Sequence, residues 1–251
     1  MTKTVKPPLD LQRFLNRRVM LFGAVAATIG VVASWVYNSR RPRADVARAQ
    51  PKKKRLGPEE LAKPGPLPDL VIGRADAPVT IVEYADLSCP ACATFHSKVL
   101  PAIKEKYIDK GHVRLVFREF PTNAHSMFAT MTMRCVQPDK AMPLISALFT
   151  RQGDWREAKT IDELRGKLFA LGQQVGLTRQ AFNDCVPANT DVKKFSAAQQ
   201  KLLQDISTAA ERAHEGFGVK QTPTFFVNGK KLGGATAEDF EKAIDPLLSK
   251  G

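Results

Sequence analysis

The chain has 251 residues, of which 43% are hydrophobic and 25% are charged, a composition that excludes collagen, coiled coil and wholesale disorder. Its net charge of +13 is uneven: residues 1–63 carry 14 basic and 4 acidic side chains (+10), and the remainder carries 24 and 21 (+3). A nearly neutral body lacks the positive surface of a nucleic-acid-binding protein, so we expect no nucleic-acid partner.

The N-terminal part contains an uncharged apolar run over residues 19–37, VMLFGAVAATIGVVASWVY. A helix of this length, rising about 1.5 Å per residue, reaches the roughly 30 Å of a bilayer core. The run therefore predicts a transmembrane signal-anchor, preceded by a basic segment over residues 1–18. The alternative is a cleaved export signal. Residues 38–65, basic and rich in proline, predict an irregular linker.

The body starts at residue 66 with an α/β pattern. Strands are predicted over residues 69–73 and 79–84, then a helix over residues 89–108 with a kink at Pro101, then a strand over residues 112–120. Strand, helix and strand in this order form a βαβ unit, which predicts a parallel pair of strands.

A purely helical block follows, over about residues 121–218. Its helices are predicted over about residues 125–136, 141–150, 161–175, 179–186 and 192–215. Strand character returns at residues 224–227, and Asn228-Gly229 predicts a hairpin turn to residues 230–232. A last helix, capped by Thr236, is predicted to end near Ser249.

Two cysteines, Cys89 and Cys92, stand at the start of the first helix of the body in the sequence Cys-Pro-Ala-Cys. The unpaired N–H groups at a helix N-terminus favour a thiolate, which predicts Cys89 as a nucleophile with a lowered pKa. Cys89 and Cys92 are three residues apart on one helical turn, so their sulfurs are close enough to form a reducible disulfide. The alternative, half of a zinc site, needs a second close Cys/His pair, and the sequence shows none, so no metal is predicted.

Together with residues 76–79, 83–86 and 221–225, this motif resembles DsbA-like thiol:disulfide oxidoreductases of the thioredoxin superfamily. The likeness covers about residues 66–250, including the helical block between the third strand and Pro223. It implies a thioredoxin-like α/β fold with an inserted all-helical subdomain, here preceded by an N-terminal transmembrane helix. It also implies that the Cys89–Cys92 pair transfers disulfides.

The resemblance further implies that Pro223 is cis and packs beside the active disulfide. Thr222 and Gln221, which precede it, would then bind an extended substrate segment. A proline at the start of a strand cannot donate to a sheet ladder, which agrees with such a turn. The alternative is an ordinary trans proline.

Glu83 lies in the strand before Cys89, which the pattern predicts to be buried. A buried carboxylate could accept the proton of Cys92, through water, when a mixed disulfide is resolved. The resemblance supports this role, and Arg114 on the neighbouring strand is a candidate charge partner. The alternative is a solvent-exposed Glu83 on an edge strand.

The remaining cysteines, Cys135 and Cys185, both fall in the helical block. If Cys89 pairs with Cys92, they can form only a structural disulfide with each other, which requires an oxidising compartment. The alternative is a pair of buried thiols.

These features predict an enzyme that introduces disulfides into exported proteins that contain cysteine. Its reoxidation partner would be a quinone-linked, DsbB-like membrane protein. Ala91 replaces the histidine of the best-known oxidases, and Thr222 resembles isomerase- and reductase-type members, so an isomerase or reductase with a reductase partner stays open. The alternative that is not an enzyme is a structural or metal-binding module displayed on a membrane.

Localisation is predicted from conflicting signals. Five basic residues precede the apolar run and eight lie within residues 38–55, counts that would keep the body in the cytoplasm. Disulfide chemistry favours an oxidising compartment, and long domains obey the charge rule less strictly. We therefore expect a single-pass inner-membrane protein with its catalytic domain in the periplasm, or a soluble periplasmic protein after signal cleavage.

Overall fold

A five-stranded mixed sheet organises residues 55–249, which are the residues that the computed structural model describes. Its strands are β1 (Leu70–Ile72), β2 (Val79–Ala85), β3 (Val113–Glu119), β4 (Thr224–Val227) and β5 (Lys230–Lys231). Their order across the sheet is β1-β3-β2-β4-β5. Strands β2 and β3 are parallel, which confirms the predicted βαβ unit, and the other pairs are antiparallel.

The helices that the structure describes are α1 (Pro58–Ala62), α2 (Pro90–Thr94), α3 (Leu100–Ile103), α4 (Ala124–Arg134), α5 (Pro138–Thr150), α6 (Gln152–Arg156), α7 (Ile161–Gln173), α8 (Arg179–Cys185), α9 (Ala197–Glu211) and α10 (Ala237–Leu248). Helices α4 to α9 form the insertion between β3 and β4, as predicted. A 3₁₀ turn at Val192–Lys194 precedes α9, and a π-helical turn at Arg212–Gly216 extends it.

The helical segment after Cys89 is continuous but irregular. A π-helical turn at Phe95–Val99 joins α2 to α3, and a second one, Lys104–Ile108, follows α3. Pro101 has no N–H to donate within the helix, and the N–H of Leu100 reaches back five residues to the carbonyl of Phe95. The predicted kink at Pro101 therefore coincides with a change of helix type.

The two faces of the sheet are covered by different elements. Glu83 pairs with Phe117 of β3 and Phe225 of β4, so the three side chains share one face. On that face the segment from α2 to Ile108 and helix α10 pack against the sheet. The opposite face, which includes Tyr84, packs against α1 and against the π-helical turn that follows α9.

The turn between β4 and β5 matches its sequence signature. Asn228 and Gly229 both have positive φ, 42° and 80°, as a two-residue turn of this type requires. The last helix, α10, begins after Thr236, whose side chain accepts a hydrogen bond from the N–H of Asp239. Both predictions are confirmed.

Two local predictions are wrong, and one short helix was missed. Within the predicted irregular linker, α1 is helical, and Leu61 is buried against the sheet because the segment covers an otherwise exposed apolar face. The helix predicted from residue 192 begins at Ala197, because Ser196 and Gln199 form a capping box there. The short helix α6 was not predicted, since five residues carry no clear period.

The basic segment over residues 1–18, the span over residues 19–37 and residues 38–54 of the linker lie outside the described residues. From residue 55 to residue 249, no helix has both the length and the apolar character needed to cross a bilayer.

Candidate active site

The loop between β2 and α2 places Cys89 at the N-terminus of α2. The Cys89 N–H donates to the carbonyl of Asp86 at 3.0 Å, and the buried Asp86 carboxylate accepts from the Ser88 N–H at 2.6 Å and the Ser88 hydroxyl at 2.7 Å. The N–H and hydroxyl of Thr122, which follows β3, donate to the other carboxylate oxygen. Asp86 is thus fully hydrogen-bonded and holds the turn that presents Cys89.

The helical insertion also holds this loop. Gln152, at the start of α6, is buried, and its side-chain amide donates to the carbonyls of Leu87 at 2.8 Å and Cys89 at 3.0 Å. Both N–H groups of one amide are therefore used on the active-site loop.

The two active-site cysteines are free thiols, with Cys89 half-buried and Cys92 buried. A hydrogen bond from Cys92 lowers the pKa of Cys89 to about 5, aided by Thr222 and by the backbone N–H groups of Cys92 and Ala91 and opposed by burial. The same Cys89–Cys92 hydrogen bond raises the pKa of Cys92, with further contributions from burial and the nearby Glu83 charge. At neutral pH, Cys89 is therefore a thiolate and Cys92 a thiol.

The loop before β4 faces the nucleophile. The Thr222–Pro223 peptide bond is cis, as predicted. The Thr222 carbonyl oxygen lies 3.3 Å from Sγ of Cys89, which donates to it only in the protonated form. A groove of about 750 Å³ runs from Ala91 past Pro223 and Gln221 toward the segment before α10. The structure thus brings the predicted substrate-binding residues together beside Cys89.

Glu83 is fully buried, and its charge contributes to the raised pKa of Cys92. Its charge partner is not the predicted one. Both Glu83 oxygens lie 3.0–3.1 Å from Nε2 of His96. Arg114 instead donates to the Thr80 hydroxyl, because these two residues pair across β2 and β3. Glu83 is three residues further along β2 than Thr80, which places it on the opposite face of the sheet.

The second cysteine pair forms the predicted disulfide. Cys135 and Cys185, at the ends of α4 and α8, are bonded, with their Cα atoms 5.9 Å apart. This bond joins two helices of the insertion. Among residues 55–249, no group of three or more His, Cys, Asp or Glu side chains is placed to hold a metal ion.

Sequence reasoning missed two residues of the site. His96 is four residues after Cys92, so it lies one turn further along the same helix face, and this spacing could have identified it. Gln152 gives no local signal, because its contacts cross more than sixty residues of sequence.

Comparison with known proteins identifies the family. A family profile described as "Thioredoxin" matches residues 67–246. The crystal structure of Wolbachia pipientis alpha-DsbA1 aligns with a TM-score of 0.64 and 30% identity, and it covers 76% of this chain and 96% of that one. This chain belongs to the DsbA-like branch of the thioredoxin superfamily.

Curated relatives of this DsbA-like protein have names of the same kind. A "Probable disulfide bond formation protein D" of Bacillus cereus is 37% identical over 231 residues, which cover 90% of this chain and 93% of the relative. A "Putative protein-disulfide oxidoreductase" of Rickettsia bellii is 29% identical over 183 residues, which cover 72% of this chain and 65% of the relative. The chain thus spans less than two thirds of the length of that rickettsial relative.

Proposed function

We propose that this protein is a thiol:disulfide oxidoreductase that introduces disulfides into exported proteins through Cys89 and Cys92. The observation that carries the proposal is the position of Cys89 at the N-terminus of α2, with its Sγ 3.3 Å from the Thr222 carbonyl and Cys92 buried behind it in the same helix. The lowered pKa of Cys89, about 5, and the raised pKa of Cys92 agree with this placement. A low pKa makes Cys89 a good leaving group, so its disulfide is readily transferred.

The reaction has two exchange steps. A substrate thiolate attacks Cys89 of the Cys89–Cys92 disulfide, a mixed disulfide forms, and Cys92 leaves with the electron pair and takes up a proton. A second substrate thiolate then attacks the substrate sulfur of the mixed disulfide and releases Cys89 as a thiolate. The substrate loses two electrons, and the enzyme gains them.

Residues beside Cys89 support the binding of a polypeptide. Gln221, Thr222 and Pro223 line the groove, and the Thr222 carbonyl oxygen lies 3.3 Å from Sγ of Cys89. A cysteine-containing segment lying along this loop would bring its thiolate to Cys89.

Alkylation and trapping test the proposal. In the reduced protein, iodoacetamide should modify Cys89 below pH 7 and leave Cys92 unmodified, because only the thiolate reacts. A Cys92→Ser variant should accumulate mixed disulfides with cellular proteins, whereas Cys89→Ser/Cys92→Ser should accumulate none. Equal alkylation of both cysteines, or no adducts with Cys92→Ser, contradicts the proposed chemistry.

An isomerase or reductase of the same fold is the second candidate, favoured by Ala91 and Thr222 at positions that distinguish the strongest oxidases. The redox state of Cys89 and Cys92 in intact cells separates the two. An oxidase is largely oxidised there, whereas an isomerase or reductase is kept reduced by a reductase partner.

For the whole chain, we propose an anchor over residues 19–37, a periplasmic catalytic domain and reoxidation by a quinone-linked, DsbB-like membrane protein. The sequence of the apolar run and the oxidised Cys135–Cys185 pair support this arrangement. An impermeant amine reagent should label the body once the outer layer is permeabilised, and alkaline carbonate should leave the protein in the membrane. Release by carbonate would indicate a cleaved signal instead.

A further inference from the structure

We propose that His96 and Glu83 form one proton-holding unit, in which Nε2 of His96 orients the Glu83 carboxylate and shares with it the proton that Cys92 releases. The inference rests on the proposed thiol–disulfide exchange and adds a residue to it. Glu83 alone was expected to accept this proton, with Arg114 as its partner.

The geometry of the pair supports a shared proton. Nε2 of His96 lies 3.1 Å from Oε1 and 3.0 Å from Oε2 of Glu83, and the two side chains are 5% and 0% exposed. A single ring nitrogen therefore contacts both oxygens of a carboxylate that solvent does not reach.

Aromatic rings hold the imidazole in place. Its centroid lies 4.3 Å from that of Phe149 in α5, and the rings of Phe95 and Phe117 stand roughly perpendicular to it, with centroids at 5.4 and 6.0 Å. The elements packed against the pair thus contribute apolar rings, including Phe225 opposite Glu83 on β4. The Glu83 charge contributes to the raised pKa of Cys92, so this thiol lies within electrostatic range of the pair.

Glu83 and His96 together can hold the proton from Cys92 in two ways. A Glu83 carboxylate with a neutral His96 carries one negative charge, and one added proton makes the pair neutral, whether as carboxylic acid and imidazole or as carboxylate and imidazolium. In both protonated forms the proton lies on one of two side chains in direct contact, and the buried pair carries no net charge. The hydrogen bond to Nε2 also keeps the carboxylate oriented when its charge changes.

The step that uses the pair is the attack of Cys92 on a mixed disulfide. The Cys92 thiol gives its proton to the pair, and the resulting thiolate attacks Sγ of Cys89. The Cys89–Cys92 bond forms as the bond from Cys89 to the partner sulfur breaks, and the partner leaves as a thiolate with the electron pair.

Oxidation of the reduced protein by DTNB separates this step from the preceding one. Cys89 attacks the reagent and releases one equivalent of thionitrobenzoate, and Cys92 then attacks the mixed disulfide and releases a second. A Cys92→Ser variant shows only the first phase and so identifies it. Both phases are followed by stopped flow across a pH series for the wild type, His96→Gln, His96→Asn, Glu83→Gln and the double variant His96→Gln/Glu83→Gln.

We expect either folded His96 variant to slow the second phase about 10-fold at neutral pH and to shift its pH profile upward, because an amide cannot take up the proton. The first phase should change by less than about twofold, since Cys89 does not depend on the pair. The double variant should be no slower than Glu83→Gln alone, because the two residues act as one unit.

Phe182→Leu is the matched control, because it removes a buried ring of the helical insertion that packs on Phe169 and leaves Phe149, His96 and Glu83 in place. It should lower the thermal stability and leave the pH profile of the second phase unchanged. A second-phase profile in the His96 variants that equals the wild-type profile overturns the role of His96. Absence of the first phase below pH 7 in the wild-type protein overturns the proposed function itself.

Discussion

Removal of the Cys92 thiol should raise the pKa of Cys89. The largest cause of the low Cys89 pKa is the hydrogen bond from Cys92, and the N–H groups of Cys92 and Ala91 contribute less. Cys92→Ala deletes the thiol donor and keeps both N–H groups. Cys92→Ser replaces the thiol with a hydroxyl, which can still donate to the Cys89 thiolate.

The size of the effect follows from the strength of that bond. A hydrogen bond to a charged group contributes about 1.5–3 kcal/mol, and one pKa unit corresponds to about 1.4 kcal/mol, so its loss amounts to about one to two units. Cys89 is only half-buried, and solvent screening favours the lower end. From about 5, the pKa of Cys89 should therefore rise to about 6 in Cys92→Ala. In Cys92→Ser it should rise by less than about half a unit.

The rate of alkylation by iodoacetamide, measured against pH, gives the Cys89 pKa directly. Each variant has a single free thiol, because Cys135 and Cys185 are bonded to each other. Mass spectrometry of the alkylated protein locates the wild-type modification. Equal pKa values in the Ala and Ser variants would refute the reasoning and would assign the low Cys89 pKa to Thr222 and the backbone N–H groups of residues 91 and 92.

Further predictions concern stability. Relative to the oxidised protein, the reduced protein should gain stability as the pH rises from about 5 to about 8.5, because over this range Cys89 is a thiolate when folded and takes up a proton on unfolding. At higher pH the reduced protein should lose stability again, because Cys92 ionises in the unfolded chain but not in the folded one. Urea titrations of both forms across this pH range measure the difference. Cys135→Ser should remove the bond to Cys185 and lower the unfolding free energy by about 4 kcal/mol on the chain-entropy model, with insulin reduction unchanged; loss of activity at unchanged stability would indicate a relay. Gln152→Leu should cost about 1–3 kcal/mol by leaving two loop carbonyls without their donor, as measured by thermal unfolding; an unchanged midpoint would contradict the observed hydrogen bonds.

Sequence reasoning succeeded where the signal is local. The position of Cys89 at the start of a helix, the Asn228-Gly229 turn and the Thr236 cap each depend on residues close together in the chain, and the structure confirms them. The parallel pairing of β2 and β3 followed from the order of the elements alone.

Sequence reasoning failed where packing between distant segments decides. Arg114 was a plausible partner for Glu83 until the register of β2 and β3 placed the two on opposite faces of the sheet. The predicted linker contains a helix because Leu61 covers apolar residues that would otherwise be exposed. Periodicity describes one element at a time and therefore cannot show such a contact.

The helical insertion contacts both the nucleophile, Cys89, and the pair of residues that takes up the proton of Cys92. Phe149 in α5 packs on the imidazole that holds Glu83, and Gln152, three residues later, holds the backbone of Cys89. The junction of α5 and α6 thus positions the nucleophile and the proton acceptor at the same time. A change that moves this junction should therefore affect the reactivity of Cys89 and the resolution of the mixed disulfide together, whereas a change confined to His96 should affect only the second.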